Sequence, residues 1–298
     1  MKQHYRCQLY WLNTDEQHIA YRLYTNIYHQ HGGQDHRSGR RLLLLHGAGV
    51  AGEDTWSYIV QHLEHWSEVL VPDIRGMGGS KYPDGSEKPY VVEEALGDIV
   101  SLLDHLGWWA ADVGGYSFGG LISMLLKSHH PTRVHKQYLL EPALLDRVCY
   151  EDVVALRDKY AEVADMLRHQ SEPQPGILRF LDTISPHRIV SPKTENMIIT
   201  RLSERALGFA NALNAATEAS KRLDRQELLK AQQNVSSFIG GRSVEDLHHY
   251  HRQLAHDRDD WVYHSIRGCD HSLPFQKPRQ IALQMNNDMT EYLRYKSA

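Results

Sequence analysis

The sequence predicts an α/β fold, a mostly parallel central sheet flanked by helices and interrupted by one helical insertion. Three observations point to it. Apolar runs of strand length alternate with stretches of helical spacing, as stacked β-α units require. A glycine-rich turn, Gly115-Tyr116-Ser117-Phe118-Gly119-Gly120, stands between one such run and one such stretch. From about Leu145 to Gln232 the strand signals disappear, and Ala, Leu, Glu, Arg and Lys dominate.

In chain order, His18 to Tyr24 reads as an early strand in an antiparallel lead-in. The apolar run Arg41-Leu42-Leu43-Leu44-Leu45-His46 is a buried strand that opens into Gly47-Ala48-Gly49, and Thr55 to Trp66 follows as a helix. Glu68 to Pro72 is the next strand, ending in the glycine-rich segment Asp73 to Ser80, and Val91 to Leu106 carries helical periodicity. Ala110 to Gly114 supplies the strand before Ser117, and Leu121 to Lys127 the helix after it. Val134 to Leu140 is a further strand, ending at Glu141-Pro142.

The segment 145–232 then divides the core into a first part, 1–144, and a second part, 233–298. Glu151 to His169 and Glu204 to Gln233 read as helices, with a proline-containing break from Ser171 to Pro192. Insertions of this kind enter at sheet-edge loops, and this one has the makings of a lid. The sheet resumes at Val235 to Gly240, followed by a helix from about Val244 to Ala255, a strand from Trp261 to Ile266, and a closing helix from Pro278 to about Tyr295.

Composition narrows the function. The 298 residues are 41% hydrophobic and 23% charged, ordinary for a globular protein and enough to bury a substantial core. A formal net charge of −4 with 20 neutral histidines gives no basic stripe for nucleic acid, and no apolar stretch approaches the length that spans a bilayer. The segment Met1 to Cys7 lacks the apolar core of a signal peptide. Cys7, Cys149 and Cys269 are odd in number and far apart, as for reduced thiols of a cytoplasmic protein. His248, His249, His251 and His256 share a predicted surface helix without a partner at known ligand spacing, so no metal or cofactor is expected.

A serine on a tight strand-to-helix turn has chemical potential. The turn forces a strained backbone that only side-chain-free neighbours tolerate, which Gly115, Gly119 and Gly120 supply. A helix starting near Phe118 aims free N–H groups and its positive end at the space beside the Ser117 hydroxyl, where an oxyanion would form.

Four motifs together resemble the α/β-hydrolase superfamily across nearly the whole chain. In the family's order they are His46-Gly47-Ala48-Gly49, Asp73 to Ser80, the elbow around Ser117, and Gly268-Cys269-Asp270-His271. The resemblance implies that Ser117 attacks a carbonyl carbon and that His271 accepts its proton. It further implies an oxyanion hole made by the backbone N–H of Phe118 and one from the 46–49 loop, with Ala48 the leading choice. The Asp73 to Ser80 motif reads as structural, and Cys269 as a packing thiol.

The acid departs from the family's common pattern, in which an aspartate follows the strand ending at Gly240. This chain has Gly240-Gly241-Arg242-Ser243, and a serine supplies no negative charge. Glu245 or Asp246 lie just beyond, although acids there are equally explained by the first turn of a helix. Glu141 ends the strand after the elbow, and some relatives, dehalogenase-like members among them, take their acid from that strand end. Glu141 is therefore the leading choice, with Glu245, Asp246 or no acid at all as alternatives.

The expected activity is that of a serine hydrolase cleaving a small carboxylic ester or thioester. A serine at the elbow argues against epoxide-hydrolase or dehalogenase chemistry, which uses aspartate there. Hydrolysis of a carbon–carbon bond beside a ketone, acyl transfer to another acceptor, and a non-catalytic ligand-binding module remain alternatives, the last resting on the departure at Ser243. Tyr160, Met166, Phe180, Met197 and Phe209 of the insertion are candidates for its own core or for the pocket wall.

Overall fold

The computed structural model describes residues 4–27 and 39–297. Eight strands form one sheet in the order β1-β2-β4-β3-β5-β6-β7-β8. They are β1 (Tyr5–Asn13), β2 (His18–Asn26), β3 (Arg41–Leu45), β4 (Glu68–Pro72), β5 (Ala111–Tyr116), β6 (Val134–Leu140), β7 (Val235–Gly240) and β8 (Trp261–Ile266). β1, β2 and β4 pair antiparallel, and every pairing from β4 through β3 to β8 is parallel. Strands β3, β5 and β7 are buried almost throughout, which is why they read as continuous apolar or small-residue runs.

Helices α1 (Gly52–Val60), α2 (Val92–His105) and α3 (Phe118–His129) follow β3, β4 and β5. Two apolar layers cover the sheet. One places Leu43, Leu45 and Val113 against Leu96, Ile99, Leu121 and Leu125 of α2 and α3. The other places Leu42, Leu44 and Tyr138 against Trp56 and Ile59 of α1 and Ile281, Met285 and Met289 of the C-terminal helix α11 (Pro278–Ser297).

Between β6 and β7 the chain runs through five helices: α4 (Tyr150–His169), α5 (Gln174–Ile184), α6 (Pro192–Ser203), α7 (Ala206–Arg222) and α8 (Arg225–Lys230). Helices α4 to α7 bury an apolar cluster of their own around Tyr160, Phe180, Phe209 and Leu213. Helix α7 also faces the other way, with Ala212, Ala215, Ala216 and Ala219 joined to the layer of α2 and α3. Helix α9 (Glu245–Asp257) and the single turn α10 (Leu273–Gln276) flank β8.

The strands expected at 68–72, 134–140, 235–240 and 261–266 have those bounds. The sequence reading missed β1, an edge strand whose side chains are mostly exposed and therefore carry no burial alternation. It also took the prolines between 171 and 192 as a break, whereas Pro175 stands in the first turn of α5 and Pro192 opens α6. In the first turn a proline's missing N–H costs nothing.

Candidate active site

The elbow is built by crowding. Ser117 lies between β5 and α3 with φ 50° and ψ −112°, a left-handed backbone that L-residues hold only under constraint. The constraint comes from both sides: its N–H donates to the Leu140 carbonyl at 2.9 Å, and its own carbonyl accepts from Gly120 N and Ala143 N at 3.0 Å each. The adjacent chains approach so closely that a Cβ on Gly119 would run into the carbonyl oxygens of Leu45 and His46. One on Gly120 would lie 2.7 Å from Pro142 Cβ.

Glu141 directly follows β6 and also holds a positive φ, 41°. Its carboxylate is 3% exposed and takes three hydrogen bonds. Oε1 accepts from Gly240 N at 2.7 Å and from the Ser243 hydroxyl at 2.6 Å, while Oε2 faces His271 Nδ1 at 2.7 Å. An ionised carboxylate can only accept, so Nδ1 carries the proton and Nε2 presents a lone pair. The His271 ring is held further by Tyr116, whose centroid is 5.1 Å away. The loop that carries it is fixed by Asp270, whose Oδ1 accepts from Ser272 N at 2.9 Å.

Among the candidate acids, the structure thus brings Glu141 to His271 and leaves the others outside. Glu245 is exposed and paired with Arg252, and Asp246 is exposed on the first turn of α9. Ser243 occupies the slot left without an acid, and its hydroxyl donates to the acid that follows β6. Sequence reasoning treated Ser243 as a loss, although a hydroxyl in that slot was a signal for a carboxylate arriving from the neighbouring strand.

His46 is fully buried. Its Nδ1 lies 2.7 Å from the Gly47 carbonyl and its Nε2 accepts from Ile74 N at 2.8 Å. Burial holds its pKa below the ordinary value, so the ring is neutral and donates through Nδ1. The neighbouring loop is tied down by Asp73, which accepts from Gly52 N at 2.8 Å and Gly79 N at 2.9 Å. Arg75 pairs bidentate with Asp98 there. Cys269 is buried, donates to the Ile266 carbonyl, and burial raises its pKa to about 11, so it is a thiol at neutral pH.

Ser117, His271, Gly47, Ala48 and Tyr116 line a cavity of about 180 Å³. Its remaining wall is largely apolar, with Val50, Phe180, Leu181, Met197, Leu202 and Phe275. Arg201 also borders it, 3.4 Å from Asp54. Of the aromatic and methionine residues singled out in the insertion, Phe180 and Met197 border this cavity, and Phe209 packs in the interior of the helices. Among the described residues, no group of three or more His, Cys, Asp or Glu is arranged to hold a metal ion.

Residues 40–171 match the family model of the α/β hydrolase fold, and the eight-stranded sheet with its flanking helices has that fold. It is 32% identical over 127 residues to a 2-hydroxymuconate semialdehyde hydrolase of a Pseudomonas species, an alignment covering 42% of each chain. It is 31% identical over 104 residues to a lipase of Mycobacterium tuberculosis, covering 35% of this chain and 38% of that one. The chain therefore spans well under half the length of these curated relatives. An enol-lactonase from Burkholderia xenovorans shares the fold with a TM-score of 0.70 at 20% identity, over 94% of this chain and 100% of that one. A hydrolase from Pseudomonas aeruginosa does so with a TM-score of 0.71 at 18% identity, over 94% and 98%.

Proposed function

We propose that the protein is a serine hydrolase that cleaves a small carboxylic ester or thioester through an acyl-enzyme on Ser117. The observation that carries this reading is the joint placement of a strained Ser117 and the hydrogen-bonded pair His271 and Glu141, with Ser117 and His271 lining one cavity. His271 Nε2 takes the proton of Ser117 as Oγ bonds to the carbonyl carbon, then delivers it to the leaving oxygen or sulfur as that bond breaks. Water repeats the sequence on the acyl-enzyme, with His271 again as base. Glu141 holds the imidazole in the reactive tautomer and stabilises its charged form.

Two backbone amides would take the developing oxyanion. Phe118 is the first residue of α3, so its N–H has no acceptor within the helix. Ala48 N–H shares a peptide plane with the Gly47 carbonyl, which His46 draws to itself. In a trans peptide the N–H then points the opposite way. Helices α4 to α8, residues 145–232 in the sequence reading, act as a cap over the cavity.

Cleavage of a carbon–carbon bond is the second reading, favoured by the similarity to a 2-hydroxymuconate semialdehyde hydrolase. Intact-mass spectrometry after treatment with a fluorophosphonate at neutral pH tests the shared first step. One adduct is expected on the parent, none on Ser117→Ala, and labelling slowed by about a thousandfold or more on His271→Ala. An unlabelled parent sinks the proposal; products of ester and of vinylogous diketone substrates then separate the two bond types.

A further inference from the structure

Ser117 and Ala48 border a second cavity, and its chemistry differs from that of the first. It measures about 20 Å³, and its wall includes Phe118, Ala143, Ala212, Tyr160, Asp146 and Arg157. His271 borders only the larger cavity. Arg157 comes from α4 and is 5% exposed. It pairs through Nη2 with Asp146 Oδ2, and its guanidinium carbon lies 5.2 Å from the Tyr160 ring centroid. Its Nε, also buried, has no hydrogen-bond partner among the described residues.

A buried guanidinium N–H without an acceptor is costly, and the arginine that carries it lines a cavity that Ser117 also lines. The two cavities can be assigned to the two sides of the scissile bond. The leaving oxygen must take its proton from His271, so the leaving group occupies the large apolar cavity, and the acyl group the small one. A space of this volume holds about one water-sized group, so the acyl chain is short. Asp146 already offsets the charge of Arg157, which favours a neutral acceptor over a carboxylate.

We propose that Arg157 Nε–H recognises a hydroxyl or oxo oxygen next to the reacting carbonyl, making the substrates esters or thioesters of a short, 2-oxygenated acid with a bulky apolar leaving group. This assignment rests on the serine-hydrolase reading. Hydrolysis of 2-naphthyl glycolate, propionate and hexanoate tests it, because glycolate and propionate differ only by a hydroxyl in place of a methyl. The parent should favour glycolate over propionate by about tenfold or more in kcat/KM, with hexanoate poorest. Arg157→Lys keeps a charge beside Asp146 but removes the Nε–H, and the glycolate-to-propionate ratio should fall to the intrinsic reactivity ratio of the two esters in buffer. A double variant, Asp146→Asn with Arg157→Met, should give the same ratio, and comparing ratios within each protein removes any uniform loss of activity. An unchanged ratio in both variants, or a parent that prefers hexanoate, overturns the assignment. If fluorophosphonate labels Ser117 and no short oxygenated ester is turned over, this assignment alone fails; if Ser117 does not label, the serine-hydrolase reading fails with it.

Discussion

Ser117 and Glu141 are both held at positive φ, and each pays its conformational strain into a contact that an ordinary backbone would not reach. Glu141 is the more informative of the two, because its Oε1 is satisfied by Gly240 N and Ser243 Oγ before His271 is considered. Removing that hydroxyl leaves the carboxylate less firmly oriented without removing it. Ser243→Ala is therefore expected to lower kcat about three- to tenfold with little change in KM, a split that steady-state kinetics reads directly. Glu141→Ala should cost about a thousandfold or more. Adding Ser243→Asp to it should recover at least about tenfold, because the new carboxylate starts from a position already within hydrogen-bond reach of the Glu141 site. No recovery in the double variant would mean that position 243 cannot address His271. At this scale the sequence was readable where a residue type implies geometry, as at Ser117 between its glycines and at Glu141 on a strand end. Arg157 carried no such mark: an arginine on a helix surface is ordinary until the fold shows that it is buried beside Ser117.

Elements meet the core at a few close contacts, and α7 makes the tightest. A Cβ on Gly208 would fall on the carbonyl of Gly76, so only glycine allows the first turn of α7 to rest on the loop after β4. Beside it, Arg205 donates to the Gly78 carbonyl at 2.6 Å and the Ser80 carbonyl at 3.2 Å, and pairs with Glu87. Gly208→Ala should displace the start of α7 and cost about 1–3 kcal/mol, seen as a lowered denaturant midpoint. Because Phe209 and Leu202 contact the Gly49 position of the loop carrying Ala48, the same change should slow fluorophosphonate labelling of Ser117. Labelling at the parental rate would uncouple α7 from the 46–49 loop. Strands buried on both faces and helices with one apolar stripe were legible because their periodicity is imposed by burial. The helix expected from 204 to 233 is divided, since Asp224 caps a new helix by accepting from Gln226 N and Glu227 N. That cap was visible in the sequence, but the strong helical composition around it concealed the break.

Across the whole molecule, the response to acid is set by histidines that fold in the neutral form. His251 is fully buried on α9, with Nε2 3.3 Å from the Leu145 carbonyl and Nδ1 without a partner among the described residues. Burial is the main cause that lowers its pKa from 6.5 to about 4, only partly opposed by Leu145, Glu141 and Asp146. Burial lowers the pKa of His46 in the same direction. For His251, between about pH 6.5 and 4, the unfolded chain binds a proton that the folded chain refuses, so stability falls as pH falls through that window and is unaffected by it above; His46 acts in the same direction. For His251 alone the expected loss between pH 7.5 and 5 is about 2 kcal/mol. His251→Gln keeps a donor for the Leu145 carbonyl but does not titrate. Its stability relative to the parent, measured by urea unfolding, should therefore improve by about that amount over the same interval. Carboxylates such as Asp112 titrate alike in both proteins and cancel in the comparison. Parallel curves for parent and variant would show that His251 accepts its proton without unfolding, as it could if the Leu145 segment following Glu141 opened to water. In that case acid would first disturb the loop that begins at Glu141, and labelling of Ser117 would weaken at a pH where the fold is still intact.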